Sequence, residues 1–181
     1  MAPAAVATTE TATALFSVFL NSSVGGWALV VFGAGLATVL ACIGSARATG
    51  MVGEAATGLL SEDPSKSGAC MALQIIPGTQ GIYGFVIGVL ALMFSGALGG
   101  GAEIAEMTVL KGGQYFFACI PMALGGYFSA IAQGRVAVGS INILAKKPND
   151  WSKGMILCVV VEFYAILSLL ISILMLIRLG H

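Results

Sequence analysis

Long apolar runs alternate with short polar segments along this chain. Runs without Asp, Glu, Lys or Arg cover about 11–46, 67–102 and 112–134, and a fourth over about 154–177 is interrupted only by Glu162. Each run is long enough for the ~20 residues that cross a bilayer as an α-helix. The pattern therefore predicts an all-α membrane protein with four transmembrane helices, the first beginning near Gly25.

Composition also indicates a lipid environment. Hydrophobic residues make up 58% of the chain and charged residues 9%, whereas a soluble domain carries about 25% charged residues. The net charge of +0 supplies no basic surface for nucleic acid, and the N-terminus lacks the positive region of a secretory signal. We expect the four cysteines to behave as small buried apolar residues, because each lies in an apolar run without metal-ligand spacing: Cys42, Cys70, Cys119 and Cys158.

The two halves of the chain repeat each other. The segment IGSAR at 43–47 matches IAQGR at 131–135, which lies 88 residues later, and Pro64 matches Pro148 at an offset of 84. These offsets indicate a duplicated helical hairpin with about one extra helical turn in its first copy. We predict an N-terminal extension over 1–24, a first hairpin over 25–102, a connecting loop over 103–112 and a second hairpin over 113–181.

Lysine and arginine lie mainly at the hairpin tips and their approaches. The opposite side carries only Lys111 and Arg178. Because cytoplasmic loops are enriched in Lys and Arg, we predict a multi-pass protein of the cell membrane with cytoplasmic tips and with both termini and the connecting loop external. The six basic residues on the tip side are Arg47, Lys66, Arg135, Lys146, Lys147 and Lys153.

Small residues recur at every fourth position in the first and third predicted helices. Such faces let helix backbones approach closely in a bilayer. They fit packing within one chain, but their presence in both homologous helices favours a tight inner ring of many copies, with the second and fourth helices outside against lipid. The residues are Gly33, Ala37, Ala41, Ser45, Thr49 and Gly53, with Gly126, Ala130 and Gly134.

Glu162 stands where the first repeat has Gly78. A charge within a spanning helix is costly, so it must face a cavity, pair or be neutralised. Close to Gly78, Pro77 predicts a helix break that frees a backbone carbonyl at membrane depth. Gln133 lies at a height above the shared loop that allows it to converge with Glu162. Four residues around the break share one helical face: Ile76, Thr79, Gln80 and Tyr83.

The segments LQIIPGTQGIYGF, SAIAQGRVAVGSINILAKKP and VEFYAIL resemble the duplicated proteolipid of rotary V-type ATPases, a c-type component of the rotor ring. The likeness covers about 25–179 and is greatest to the K subunit of bacterial sodium-pumping enzymes. It implies a ring of identical copies in lipid, a stator membrane subunit with an Arg, and central stalk subunits at the cytoplasmic tips. It further implies a transported Na⁺ held by Thr79, Gln80, Gln133, Glu162 and the backbone carbonyl of Ile76, with the Tyr83 hydroxyl bonded to the carboxylate.

The chemistry of these residues suits a monovalent cation. Oxygen ligands bind hard cations, and one carboxylate neutralises one Na⁺ but neither Ca²⁺ nor Mg²⁺. An occupied site would be uncharged and could pass lipid. Taken singly, Thr79 fits a bond to a carbonyl of its own helix, and Gln80 and Gln133 fit interhelical contacts.

Three other functions remain open at this stage. A proton-carrying ring would use the same Glu162, a small four-helix drug/proton antiporter would also need one essential carboxylate, and a structural four-helix membrane protein would need none. No Lys follows a Gly in this sequence, so a Walker A loop is absent from it. We therefore expect a non-catalytic subunit whose ATP hydrolysis occurs elsewhere.

Overall fold

The computed structural model describes residues 3–98 and 107–180, in which the regular elements are helices. Four helical segments are long and apolar enough to cross a membrane: Ser23–Glu62, Pro64–Phe94, Val109–Lys146 and Pro148–Gly180. The predicted all-α architecture with four membrane-spanning helices is thereby confirmed. The α-helices are α1 (Pro3–Leu20), α2 (Ser23–Glu62), α3 (Ser67–Ile75), α4 (Thr79–Phe94), α5 (Val109–Lys146) and α6 (Trp151–Gly180).

Two helix starts differ from the predicted boundaries because side chains cap them. The Ser22 hydroxyl accepts a 3.3 Å hydrogen bond from the N–H of Gly25, so α2 begins at Ser23, and α1 fills most of the predicted extension. The Thr108 hydroxyl accepts from the N–H of Lys111 at 3.3 Å, so α5 begins inside the predicted loop 103–112. The remainder of that loop, 103–106, lies outside the described residues.

The backbone repeats itself at the two hairpin tips. Asp63 ends α2 with φ −139° and ψ 88°, and Lys147 ends α5 with φ −141° and ψ 78°. Each is followed by a 3₁₀ turn that begins with proline, Pro64–Lys66 in one hairpin and Pro148–Asp150 in the other. At the first tip, the Ser65 hydroxyl and the Lys66 ammonium hold the pKa of Asp63 below its usual range. The offset of 84 read from the sequence is thus also a structural repeat.

The helices α2 and α5 form the largest helix pair, and each also packs against the outgoing helix of its own hairpin. Their small residues make this possible: a Cβ on Gly33 would lie 2.8 Å from the Cα of Phe116, and one on Gly134 would lie 2.7 Å from the Cβ of Ala48. These residues therefore pack within one chain. A Cβ on Gly35 or Gly50 would meet no atom within 4 Å, so these two glycines of α2 face open space. Among the four spanning segments, the one that contains α6 is the least buried.

Cys42 does not follow the prediction made for the cysteines. Cys70, Cys119 and Cys158 are buried, whereas Cys42 is exposed. Cys42 precedes Gly44 by two residues, about 200° around the helix, and Gly44 packs against Tyr127 of α5. Cys42 therefore lies on the face of α2 that points away from α5.

A polar layer separates two apolar clusters in the bundle. One cluster joins Val30, Ile87 and Leu176 near the termini, and the other joins Val52, Leu73 and Cys158 near the tips. On every spanning helix, a polar residue lies between the two clusters. These residues are Ser45, Gln80, Gln133 and Glu162, of which the first three are buried.

Candidate ion-binding site

The second span breaks at the proline predicted to interrupt it. The α-helix α3 ends at Ile75, a 3₁₀ turn covers Ile76–Gly78, and α4 begins at Thr79. The N–H of Thr79 donates to the carbonyl of Ile76. Because proline has no N–H and clashes with the preceding turn, the sequence itself produces this break. The result is that the first turns of α4 present Thr79, Gln80 and Tyr83 toward α5 and α6.

Glu162 on α6 accepts two hydroxyl hydrogen bonds from α4. Thr79 Oγ1 lies 2.8 Å from Glu162 Oε1, and Tyr83 OH lies 2.7 Å from the same oxygen. Thr79 Oγ1 also lies 3.0 Å from the carbonyl oxygen of Ile76. Since a threonine hydroxyl carries one proton, Thr79 can donate to only one of these two acceptors at a time and keeps a lone pair for a further partner.

A second group consists of two fully buried amides. Gln80 Nε2 donates to Gln133 Oε1 at 2.6 Å, and Gln133 Nε2 donates to the carbonyl of Cys158 at 3.0 Å. This order of donors and acceptors leaves Gln80 Oε1 as a buried oxygen without a hydrogen-bond partner in the described structure. A buried unsatisfied oxygen is rare and calls for an explanation such as a bound ion or water.

The site combines one carboxylate with uncharged oxygens. Within residues 3–98 and 107–180, the ion pairs join Lys66 to Asp63 and Lys153 to Asp150, so Glu162 has no basic partner there. The same part of the chain contains no cluster of three or more His, Cys, Asp or Glu side chains. The donor set therefore fits a singly charged hard cation better than a divalent or soft metal.

The residues for which the sequence predicted a role in ion binding lie in two hydrogen-bonded groups, which neighbour each other at Thr79 and Gln80. Thr79 and Tyr83 contact Glu162 directly, and Gln80 contacts Gln133. The carbonyl of Ile76 lies at the break and accepts the Thr79 hydroxyl. Gln133 reaches α6 one turn before Glu162, through the carbonyl of Cys158. This contact was not predicted from the sequence, in which Cys158 counts only as an apolar side chain, although its four-residue spacing from Glu162 is visible there.

The family model of the ATP synthase C subunit matches the chain twice, over residues 32–91 and 116–175. The chain belongs to this family. Each match begins in the first helix of one hairpin and ends in the second, and the two matches are again 84 residues apart. Glu162 lies in the second match, and Gly78 takes its place in the first.

Two named relatives are similar over most of this ATP synthase C-type chain. The V-type sodium ATPase subunit K of Enterococcus hirae is 43% identical over 157 residues, which are 87% of this chain and 96% of the relative. The A-type ATP synthase subunit K of Methanocaldococcus jannaschii is 36% identical over 161 residues, which are 89% of this chain and 68% of the relative.

Proposed function

We propose that this chain is a membrane rotor subunit of a V-type sodium ATPase and carries Na⁺ across the membrane on Glu162. Membership of the ATP synthase C family and the similarity to a sodium ATPase subunit K support this function. The observation that carries the choice of a cation is the buried, unpartnered oxygen of Gln80 beside the Thr79–Glu162–Tyr83 group. No donor in the described part of the chain reaches that oxygen.

The proposed ligands of Na⁺ are Oε1 of Gln80 and Gln133, Oγ1 of Thr79, the carboxylate of Glu162 and the backbone carbonyl of Ile76. Three of them come from the broken span, where the 3₁₀ turn supplies the carbonyl oxygen of Ile76. Half-helix ends and unwound carbonyls are a recurrent way of holding Na⁺ inside membranes. Gln80 donates to Gln133, and Gln133 donates to the Cys158 carbonyl, so this chain of bonds orients both glutamine side chains.

Neutralisation explains how the loaded site can pass lipid. An ionised carboxylate inside a bilayer is costly, and Na⁺ cancels its single charge. The Tyr83 hydroxyl stabilises the carboxylate through its 2.7 Å bond and leaves the other lone pairs of the carboxylate for the ion. In this mechanism, unloading requires a temporary substitute for Na⁺, which is the role we assign to an Arg of a stator subunit.

The proposed assembly is a ring of identical copies embedded in lipid, with its hairpin tips in the cytoplasm and both termini outside. Stalk subunits would contact the tips and transmit rotation, while ATP hydrolysis takes place in other subunits. Each copy would load Na⁺ through one access path of the stator, rotate past lipid and release Na⁺ through the other path.

Carbodiimide labelling of the complete ATPase in native membranes tests this function. A carbodiimide reacts with a protonated carboxyl group, so Na⁺ bound at Glu162 should protect that residue, while K⁺ at the same ionic strength should not. We expect protection by Na⁺ at neutral and alkaline pH. Labelling of Glu162 that is insensitive to Na⁺ would contradict sodium transport and favour a proton-carrying ring.

A further inference from the structure

Ser45 on α2 accepts a hydrogen bond from the backbone of α4. The N–H of Gly81 donates to Ser45 Oγ at 2.9 Å, and Ser45 is 6% exposed. Gly81 is the third residue of α4, so its N–H is one of the four at a helix start that lack a regular partner inside the helix. A side chain of a different helix thus caps the helix that begins after the Pro77 break.

The capped turn is the one that carries ion ligands. Thr79 and Gln80 directly precede Gly81, and their orientation depends on how this turn is held. On the other side of the break, Gln74 Nε2 donates to the Thr49 carbonyl of α2 at 3.4 Å. The helix α2 therefore contacts the broken span on both sides of the break, although it supplies none of the proposed ligands.

The internal repeat gives this contact its significance. Ser45 lies 88 residues before Gln133, at the position that IGSAR shares with IAQGR. In the second repeat this position provides a buried amide that bonds Gln80. In the first repeat it provides a hydroxyl that bonds the backbone next to Gln80. The two copies of the position, on different helices, therefore bond two neighbouring residues in the first turn of α4, Gln80 and Gly81.

We propose that Ser45 is a positioning residue of the ion site, which fixes Thr79 and Gln80 by capping the first turn of α4. The proposal rests on the proposed function, because it concerns affinity for Na⁺ at that site. Without the Ser45 hydroxyl, the turn can tilt, and the oxygens of Thr79 and Gln80 no longer hold the spacing at which they bind the ion together with Glu162.

The test compares the Na⁺ dependence of Ser45→Ala with that of the unchanged protein in the complete ATPase. We expect the Na⁺ concentration for half-maximal protection of Glu162, and the KM for Na⁺ in ATP-driven uptake, to rise about 3- to 10-fold, the factor that one neutral hydrogen bond contributes. The maximal uptake rate should stay unchanged, because Ser45 bears no ion and no catalytic group. If Ser45→Ala does not assemble, Ser45→Cys serves instead, since it keeps the volume but accepts hydrogen bonds weakly.

Ser172→Ala is the matched control. Ser172 Oγ is likewise buried and accepts from a backbone N–H, that of Met122 at 3.1 Å, next to the helix proline Pro121. It lies ten residues beyond Glu162 on α6, about 15 Å away. We expect Ser172→Ala to lower thermal stability while leaving the Na⁺ affinity unchanged. An equal loss of Na⁺ affinity in both variants would contradict the proposal, because it would show that general destabilisation of the bundle lowers the affinity.

Gln80→Ala separates this proposal from the proposed function. If Gln80→Ala weakens Na⁺ binding and the Ser45 variants do not, positioning by Ser45 is refuted and the ion site stands. If Gln80→Ala also leaves the Na⁺ affinity unchanged, the ion site itself is wrong.

Discussion

Thr79 on α4 and Glu162 on α6 are joined by a 2.8 Å hydrogen bond, although 83 positions separate them in the chain. The bond crosses from one repeat to the other. It ties the only acidic side chain of the apolar run 154–177 to the turn that follows a helix break. Each half of the chain thus supplies what the other lacks: the first repeat provides hydroxyl and carbonyl oxygens, and the second provides the negative charge.

Glu162→Gln should abolish ATP-driven Na⁺ uptake and carbodiimide labelling at this position. The amide keeps the size of the side chain but removes the charge that balances Na⁺. Uptake into membrane vesicles measures the loss, and ring assembly should persist because the neutral residue is cheaper to bury. Glu54→Gln, at an exposed position of α2, is the control and should transport normally. Sustained uptake by Glu162→Gln would remove this residue from the mechanism.

Gln133→Ala should weaken Na⁺ binding at least about tenfold, equivalent to about 1.4 kcal/mol, while the ring still assembles. The substitution removes one proposed ligand oxygen, leaves the Gln80 amide without its acceptor and removes the bond from α5 to the Cys158 carbonyl. The half-saturating Na⁺ concentration for protection of Glu162 provides the measurement. Gln114→Ala, on the same helix but near its start and away from the polar layer, should have no effect. An unchanged Na⁺ affinity in Gln133→Ala would rule out its role as a ligand.

Tyr83→Phe should raise the KM for Na⁺ at least about tenfold and leave the maximal rate close to normal. The phenylalanine keeps the ring in place but removes the 2.7 Å bond to Glu162 Oε1, which is worth about 1.5–3 kcal/mol when the acceptor is charged. Because the rest of the ligand set remains, transport should continue at high Na⁺. Tyr127→Phe provides the comparison, since its hydroxyl accepts a 3.0 Å bond from Arg47 away from the site. Identical Na⁺ curves for both variants would contradict the role of Tyr83.

Gly84→Ala should destabilise the bundle by about 1–3 kcal/mol, the typical cost of overpacking. A Cβ there would lie 2.5 Å from the carbonyl oxygen of Ala37, so α2 and α4 would have to separate. The loss of stability can be measured by heating in the presence of a thiol reagent. The buried Cys70, Cys119 and Cys158 should become reactive at a lower temperature in the variant than in the unchanged protein. Gly113→Ala, where a Cβ would find no atom within 4 Å, should be neutral or slightly stabilising. Equal melting of both variants would show that the α2–α4 contact tolerates extra volume.

Much of the fold could be predicted because its signals are local in the chain. Apolar runs of helical length located the four spans, and Pro77 located the break in the second one. The offset of 84 predicted the repeat, which the backbone angles of Asp63 and Lys147 reproduce. The start of α5 was not predicted from the apolar pattern. The helix begins at Val109, inside the predicted loop, because the Thr108 hydroxyl accepts a hydrogen bond from a backbone N–H at the helix start.

Other features depended on how the helices are rotated against each other. The exposure of Cys42 follows from which face of α2 meets α5, and an apolar run gives no information about that face. The small residues of α2 and α5 fitted packing inside one chain, but their presence in both repeats favoured a tight inner ring of many copies. The close approach of Gly33 to Phe116 is a contact inside the chain.

The four membrane spans, the duplicated hairpin and the single carboxylate opposite a polar helix face could all be predicted from the sequence, because these properties reside in order and spacing along the chain. The hydrogen-bond partner of each polar group, in contrast, depends on how the helices pack. Gln80 bonds Gln133 rather than Glu162, Gln133 reaches the Cys158 carbonyl, and one buried oxygen of the described chain is left unpartnered. This pairing depends on how three helices are shifted along their axes and rotated about them. A displacement of about one ångström between two polar atoms is enough to change the hydrogen-bond partner.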